Sequence, residues 1–537
     1  MKYPIGIQDF KSIVEGGYLY IDKTAMVYDL VKNGKIYFLS RPRRFGKSLL
    51  VSTLEYYFKG EKELFKGLAI DGLEKDWKNY PVFHIDFSNT NFEDISDEGV
   101  SALDNKLNDY LTKWENAYHY PANRLLGYGD RFGNLLEYVH LSTGQRCVVL
   151  IDEYDKPLLD VMNSGLCVCG AHTNEVSMEE KNRAILKAFY STFKAADAHL
   201  QFVLLTGVTK FSQVSVFSGF NQPDDISMSF DFQSLCGITR SEIENQLMEG
   251  VAAMAERLKK RPEEMLDLLK QRYDGYHFTS DLEDIYNPFS LLSALRNKQL
   301  SDYWFRTGTP TYLLRLLSST NEELNDLTGR YYAASDFIDD RADAQRLLPM
   351  FYQSGYLTIK AYDEITESYL LDFPNTEVKR GFLTVVANNY FRSTSSVSSE
   401  LVGMVHAITS GNLQQLHERL TAFFASIPYS MRRKNSEHER ERYFHYTFYL
   451  IFRLLSTHIV LTEKQQSQGR ADCIIEMPKA VYIFEFKLDG TAGSALQQIK
   501  KRGYARPYLA DERKVECIGV SFSSETGTIE DWKVMPA

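Results

Sequence analysis

Ile36-Tyr37-Phe38-Leu39-Ser40-Arg41-Pro42-Arg43-Arg44-Phe45-Gly46-Lys47-Ser48 runs directly into Leu49-Leu50-Val51-Ser52-Thr53-Leu54. The first five residues carry the apolar run of a buried strand, and the last six read as a helix. The basic segment between them sits where a strand hands over to a helix, the setting in which backbone amides cradle phosphate. Gly46 lets the backbone approach an anion, and Lys47 neutralises its charge. Ser48 offers a hydroxyl to magnesium, and the helix N-terminus adds its dipole. One position departs from the pattern G-x-x-x-x-G-K-[ST]: Arg41 stands at the first glycine, where a side chain restricts the turn. A basic turn before a helix, with no phosphate chemistry, is the competing reading. Arg43 and Arg44 either touch phosphate or coat a solvated loop.

Two more apolar runs strengthen the phosphate reading. Arg146-Cys147-Val148-Val149-Leu150-Ile151-Asp152-Glu153 is a buried strand ending in two carboxylates. In a nucleotide-hydrolysing fold Asp152 holds the magnesium shell and Glu153 polarises the attacking water, with Asp155 and Lys156 close behind. Phe202-Val203-Leu204-Leu205 ends at Thr206-Gly207-Val208-Thr209-Lys210, which makes Thr206 and Lys210 candidates for sensing a terminal phosphate.

A second chemical cluster lies near the other end. Asp472 opens Cys473-Ile474-Ile475-Glu476, Met477-Pro478-Lys479 forms a turn, and Ala480-Val481-Tyr482-Ile483-Phe484 leads to Glu485-Phe486-Lys487. Alternation along a strand puts Glu485 and Lys487 on one face, with Phe486 on the other. A hairpin brings Asp472 and Glu485 together at its open end. Their hard oxygens suit a divalent cation, and Lys487 then faces the attacking water or the phosphate. A helix over 495–504 stops near Gly503, and Phe448, Ile451, Phe452 and Leu455 mark an apolar helix face downstream of Glu441.

From about Glu437 onward the chain resembles the PD-(D/E)xK nuclease superfamily, in the small version fused to AAA-ATPase-like domains. That resemblance implies Asp472, Glu485 and Lys487 as the catalytic core and Glu441, in Glu441-Arg442-Tyr443-Phe444-His445, as a further metal ligand. It also implies Gln498 and Tyr504 as the later helix motif, spaced more loosely than Q-x-x-x-Y. The first 240 residues or so resemble the AAA-ATPase-like family of P-loop NTPases. Ile5-Gly6-Ile7-Gln8-Asp9-Phe10 and Tyr20-Ile21-Asp22-Lys23-Thr24 match its opening motifs, and Arg-Pro-Arg-Arg-Phe-Gly-Lys-Ser is the usual form of its loop, so Arg41 is family-typical.

Between these ends, Thr239-Arg240-Ser241-Glu242 has capping-box spacing, and Ile243, Leu247, Val251, Met254 and Leu258 recur at helical intervals. Arg261-Pro262 opens another helix toward Tyr273-Asp274-Gly275-Tyr276. Tyr303-Trp304-Phe305 reads as aromatic packing at a helix junction. These segments resemble the helical lid and winged-helix-like region of the same ATPases. The polar stretch Arg392–Glu400 reads as a loop. Cys167, Cys169 and His172 are zinc-ligand types, but no fourth ligand is near, and His84 reads as a packed strand residue.

Composition bounds the class. The chain has 537 residues, 25% charged and 44% hydrophobic, enough for two or three domains. No run is long enough to span a membrane, Met1-Lys2-Tyr3-Pro4 begins no signal peptide, and six scattered cysteines fit a reducing cytoplasm. The net charge of -10 is uneven: both ends carry a basic surplus and the middle holds the acidic excess.

The expected fold is α/β. A P-loop NTPase with a mainly parallel sheet occupies 1–240, a helical and winged-helix-like region 241–430, and an α/β nuclease-like domain 431–537. The expected function is ATP binding and hydrolysis with Mg²⁺, joined to metal-dependent cleavage of DNA or RNA. DNA is favoured, and Mg²⁺ or Mn²⁺ serves the nuclease site. The resemblance also admits a homo-oligomer, and the lack of an apolar run long enough to span a membrane argues against a membrane partner. The alternative is a nucleotide-controlled module whose nuclease-like fold binds nucleic acid or protein without cutting.

Overall fold

The computed structural model describes the chain except residues 96–99, 170–174, 211–222, 308–312, 314, 316–326, 339–346, 392–396, 427–450, 452–454, 456–464, 467–468, 471–472, 478 and 509–512. Contacts divide the chain into two compact units, Met1–Val378 and Lys379–Ala537.

The first unit is built on five parallel strands: β1 (Ile36–Ser40), β2 (Val82–Asp86), β3 (Cys147–Asp152), β4 (Leu200–Gly207) and the short β5 (Asp224–Asp225). Their order across the sheet is β2-β3-β4-β1-β5. β3 is buried along its whole length, as a strand with both faces covered must be, which is why its sequence is continuously apolar rather than alternating. The register aligns the carboxyl ends: Asp86 lies against Asp152, Ile151 against Leu205, and Ser40 against Gly207. Helix α1 (Lys47–Phe58) follows β1 and packs across β2, β3 and β4. Ligand sites of open parallel sheets form at these strand ends, where the connections diverge.

The capping box at Thr239 forms as expected. The Thr239 hydroxyl accepts from the Glu242 amide at 3.2 Å, and the Glu242 carboxylate accepts from the Thr239 amide at 2.8 Å. The single helix expected after it is two, Arg240–Gln246 and Met248–Leu258, broken at Leu247. That change of direction lets Ile243, Leu247, Val251 and Met254 share one core with Met265, Leu269 and Tyr273. An antiparallel sheet of Arg330–Ala333, Ser368–Asp372 and Thr358–Asp363 completes the unit.

The second unit carries a mixed sheet in the order β6 (Cys473–Glu476), β7 (Ala480–Leu488), β8 (Lys514–Phe522), β9 (Ile529–Pro536). β6 and β7 form the expected antiparallel hairpin, β7 and β8 run parallel, and β9 returns antiparallel. Helix α2 (Ala492–Arg502) makes the crossover from β7 to β8 and ends at Gly503, φ +67°, the left-handed stop that glycine adopts freely. One face of β7 packs Val481 and Ile483 against Ile499 and Tyr504. The other packs Phe484 near Trp532 and Phe486 near Phe522. A Cβ on Gly519 would lie 2.2 Å from the Ala492 carbonyl, so glycine there lets the first turn of α2 press onto β8. The polar stretch expected as a loop is in part a helix: Val397–Thr409 is helical, and 392–396 lie outside the described residues.

Candidate functional site

In the first unit, Gly46 (φ +94°) caps α1, a conformation that glycine adopts freely and other residues rarely do. Lys47 follows at the helix start and is only 6% exposed. Its Nζ donates to the carbonyls of Arg41 (2.9 Å) and Pro42 (3.1 Å). Burial pushes its pKa down, while Glu153, Asp152 and Asp155 push it back up. Asp152 ends β3, and its Oδ1 accepts from the Thr206 hydroxyl at 2.5 Å and the Glu153 amide at 3.1 Å. Glu153 has φ +54°, and its pKa is raised first by burial, with Asp152 and Asp155 adding to the rise and Lys47 and Arg43 opposing it.

Arg43, Arg44, Gly46, Lys47, Ser48 and Glu153 line one cavity of about 420 Å³. That volume suits a small-molecule ligand. Its polar wall is the loop and Glu153, and Ser88, Asn89 and Lys156 add further donors. Pro4, Ile5, Ile7, Phe289 and Leu292 form an apolar wall. The opening motif reaches this wall because Asp9 is pinned to α1, accepting from Tyr56 at 3.0 Å and capping Ser12 at 2.8 Å.

In the second unit, Glu485 and Lys487 share one face of β7, with Nζ to Oε1 at 3.9 Å. Glu485 is 1% exposed. Gln498 reaches in from α2 and bridges the two. Its amide nitrogen donates to Glu485, and its amide oxygen accepts from Lys487 at 2.6 Å. Asp472 and Glu441 lie outside the described residues; the described hairpin register begins with Cys473 against Phe484.

Residues 4–217 match the family described as Predicted AAA-ATPase, and residues 439–532 match the PD-(D/E)XK nuclease superfamily. An "Uncharacterized protein in vnfD 5'region" from Azotobacter chroococcum mcd 1 is 36% identical over 539 residues, covering 98% of both chains. The chain belongs to this family, an AAA-ATPase-like domain joined to a PD-(D/E)XK domain.

In this AAA-ATPase-like protein, several residues singled out in the sequence sit away from the cavity. Thr206 is fully buried behind Asp152, and its hydroxyl orients that carboxylate. Lys210 is paired with Asp225 at 2.6 Å. Asp155 is a strand-end tie, accepting from Val208 and Thr209 amides at 3.0 and 2.7 Å. In the PD-(D/E)XK unit, Tyr504 packs in the core under the sheet while Gln498 reaches the acid and the lysine. His84 bonds Glu55 at 2.7 Å, as a packed strand residue would. Cys167 is an exposed thiol and His172 lies outside the described residues. Among the described residues no three metal-ligating side chains converge, and no helix is long and apolar enough to cross a membrane.

Arg41 has a role that the sequence did not signal. It is 1% exposed and points away from the cavity. Its guanidinium donates to the carbonyls of Ser40 (2.9 Å) and Ser227 (2.7 Å), and at 3.3–3.4 Å to those of Phe232 and Gln233. It also stacks 4.0 Å over Phe278. Where a glycine would let the loop turn freely, this arginine fixes the turn by tying it to another segment. The apolar wall was also missed; Pro288 at a helix start and the Gly6 turn (φ +80°) were its local signals.

Proposed function

We propose that the first unit binds and hydrolyses ATP and that the second is a metal-dependent phosphodiesterase acting on DNA or RNA, DNA in preference. The observation that carries the first half is the shared cavity: Lys47, Ser48, Arg43, Arg44 and Glu153 face one space at the carboxyl end of a parallel sheet. The apolar wall of Ile5, Ile7 and Phe289 suits a purine, and the basic loop suits its phosphates. Ser48 and Asp152 would hold magnesium; both bonds found on Asp152 fall on Oδ1 and none of them on Oδ2. Glu153 would orient the attacking water.

The Glu485–Gln498–Lys487 cluster supports the second half. A buried carboxylate held beside an ammonium group is the arrangement that hydrolysis of a phosphodiester needs. Glu485 with Asp472 and Glu441 would hold Mg²⁺ or Mn²⁺, and their hard oxygens fit such a cation. A divalent ion there supplies charge to the phosphate and acidifies bound water. Lys487 would meet the charge that develops, and Gln498 fixes where both groups point. The division 1–240, 241–430 and 431–537 remains our proposed assignment of roles along the chain.

The test is cleavage of mixed DNA and RNA by the full chain with Mg²⁺ or Mn²⁺, with and without ATP, beside Asp472→Ala. Metal-dependent cleavage lost in the variant is the expected result. Absence of cleavage together with unchanged Mn²⁺ affinity in Asp472→Ala would leave the non-cutting interaction module as the better reading.

A further inference from the structure

Trp304 belongs to an aromatic junction and is 6% exposed, its ring 5.2 Å from Tyr356. Aromatic packing by itself does not call for an N–H donor. Both of its N–H groups, however, are committed to specific acceptors. The indole Nε1 donates to the Arg43 carbonyl at 3.0 Å. The main-chain N–H donates to Glu377 Oε1 at 2.6 Å and lies 3.2 Å from the Ser290 hydroxyl.

These partners lie at two informative places. Arg43 lines the nucleotide cavity, and its carbonyl is the third in a consecutive series. The carbonyls of Arg41 and Pro42 accept from Lys47, and that of Arg43 accepts from Trp304. A phosphate in the cavity competes for the Lys47 ammonium, because an ionised acceptor binds a cation more strongly than a neutral carbonyl does. The first two carbonyls then lose their donor while the third keeps its tether. Glu377 is buried in the first turn of the helix Thr376–Phe391, whose start is capped by Asn375 accepting from the Val378 amide at 3.1 Å. That helix contains the Val378–Lys379 step at which the chain passes from one compact unit to the next.

We propose that Trp304 is a positioning residue that ties the nucleotide-dependent course of the phosphate loop to the start of the helix Thr376–Phe391. Nucleotide binding is thereby transmitted to the segment that leads into the nuclease-like unit. This rests on the nucleotide reading of the cavity.

The test is hydrogen–deuterium exchange of the full chain with and without a magnesium complex of a nonhydrolysable ATP analogue, beside calorimetric titration with the same analogue. In the wild type the nucleotide changes protection in peptides covering 376–386. Trp304→Phe keeps an aromatic ring, though a smaller one, and loses the indole N–H. It binds the analogue nearly as well, and the change at 376–386 falls by at least about fivefold. Glu377→Gln, which weakens the other bond without removing bulk, gives the same loss in smaller measure and serves if the tryptophan variant folds poorly. A full response in both variants overturns the proposal, as does wild type that binds the analogue with no change at 376–386. Wild type that does not bind the analogue at all overturns the nucleotide reading itself, and this proposal with it.

Discussion

Lys47 and Lys487 are both lysines set beside carboxylates, yet they are held in opposite ways. Lys47 is buried and donates to two main-chain carbonyls of its own loop. Lys487, with its side chain 32% exposed, donates to one side chain from another element, Gln498, which also holds Glu485. The first site is therefore specified by the path of a backbone, and it carries an arginine where the pattern G-x-x-x-x-G-K-[ST] has a glycine because that arginine holds the path. The second, among the described residues, is specified by three side chains, Glu485, Gln498 and Lys487. Backbone sites should fail when the loop loses its shape, and side-chain sites when a single functional group is removed.

That contrast can be broken at either end. The largest effect is expected at the side-chain site. Lys487→Ala and Glu485→Ala should each lower cleavage by about two to three orders of magnitude, the usual loss when one preorganised charge is removed. Circular dichroism would verify that the fold persists, and cleavage at wild-type rates would end the nuclease assignment.

Next is the loop. Arg41→Gly installs the glycine of the general phosphate-loop pattern, yet four carbonyls lose a donor and a buried cavity remains. We expect a loss of about 2–4 kcal/mol in urea unfolding of the first unit. Equal or greater stability would mean that the arginine is incidental and that the loop holds itself.

Glu377 gives a pH signature to the same loop's outer tether. Burial raises its pKa from 4.5 to about 7, against hydrogen bonds from Ser290 and the Trp304 amide. The folded state then retains a proton that the unfolded state releases. Its contribution to stability is therefore greatest below about pH 4.5 and declines as pH rises to about 7. Glu377→Gln removes that slope, so it should gain about 2–3 kcal/mol on the wild type between pH 4 and pH 8. Parallel stability curves for the two proteins would show that this carboxyl titrates normally.

Lys47→Ala should weaken nucleotide binding roughly 10- to 100-fold, the worth of a charged hydrogen bond, with little change in cleavage measured without nucleotide. Unaltered affinity by calorimetry would count against the phosphate loop. The smallest effect is expected for Gln498→Ala. It positions rather than reacts, so about a tenfold loss of cleavage is expected, with a larger fall in metal affinity than in substrate affinity.

Much of this was legible along the chain. The apolar run before Arg41, the alternation through Glu485-Phe486-Lys487, the capping box at Thr239 and the glycine stop at Gly503 are each local patterns. They fix φ, ψ and the facing of side chains within a few residues, so the sequence alone determined the strand–loop–helix, the hairpin and the shared face of the acid and the lysine. It could not determine partners that only packing brings together. Thr206 reaches Asp152 across 54 residues because two parallel strands are in register. Trp304 reaches Arg43 across 261 residues, and Arg41 reaches Ser227 across 186. No periodicity records such distances. They follow from which buried surfaces fit together and which buried polar groups must find a partner, and that is decided only when the chain has closed on itself.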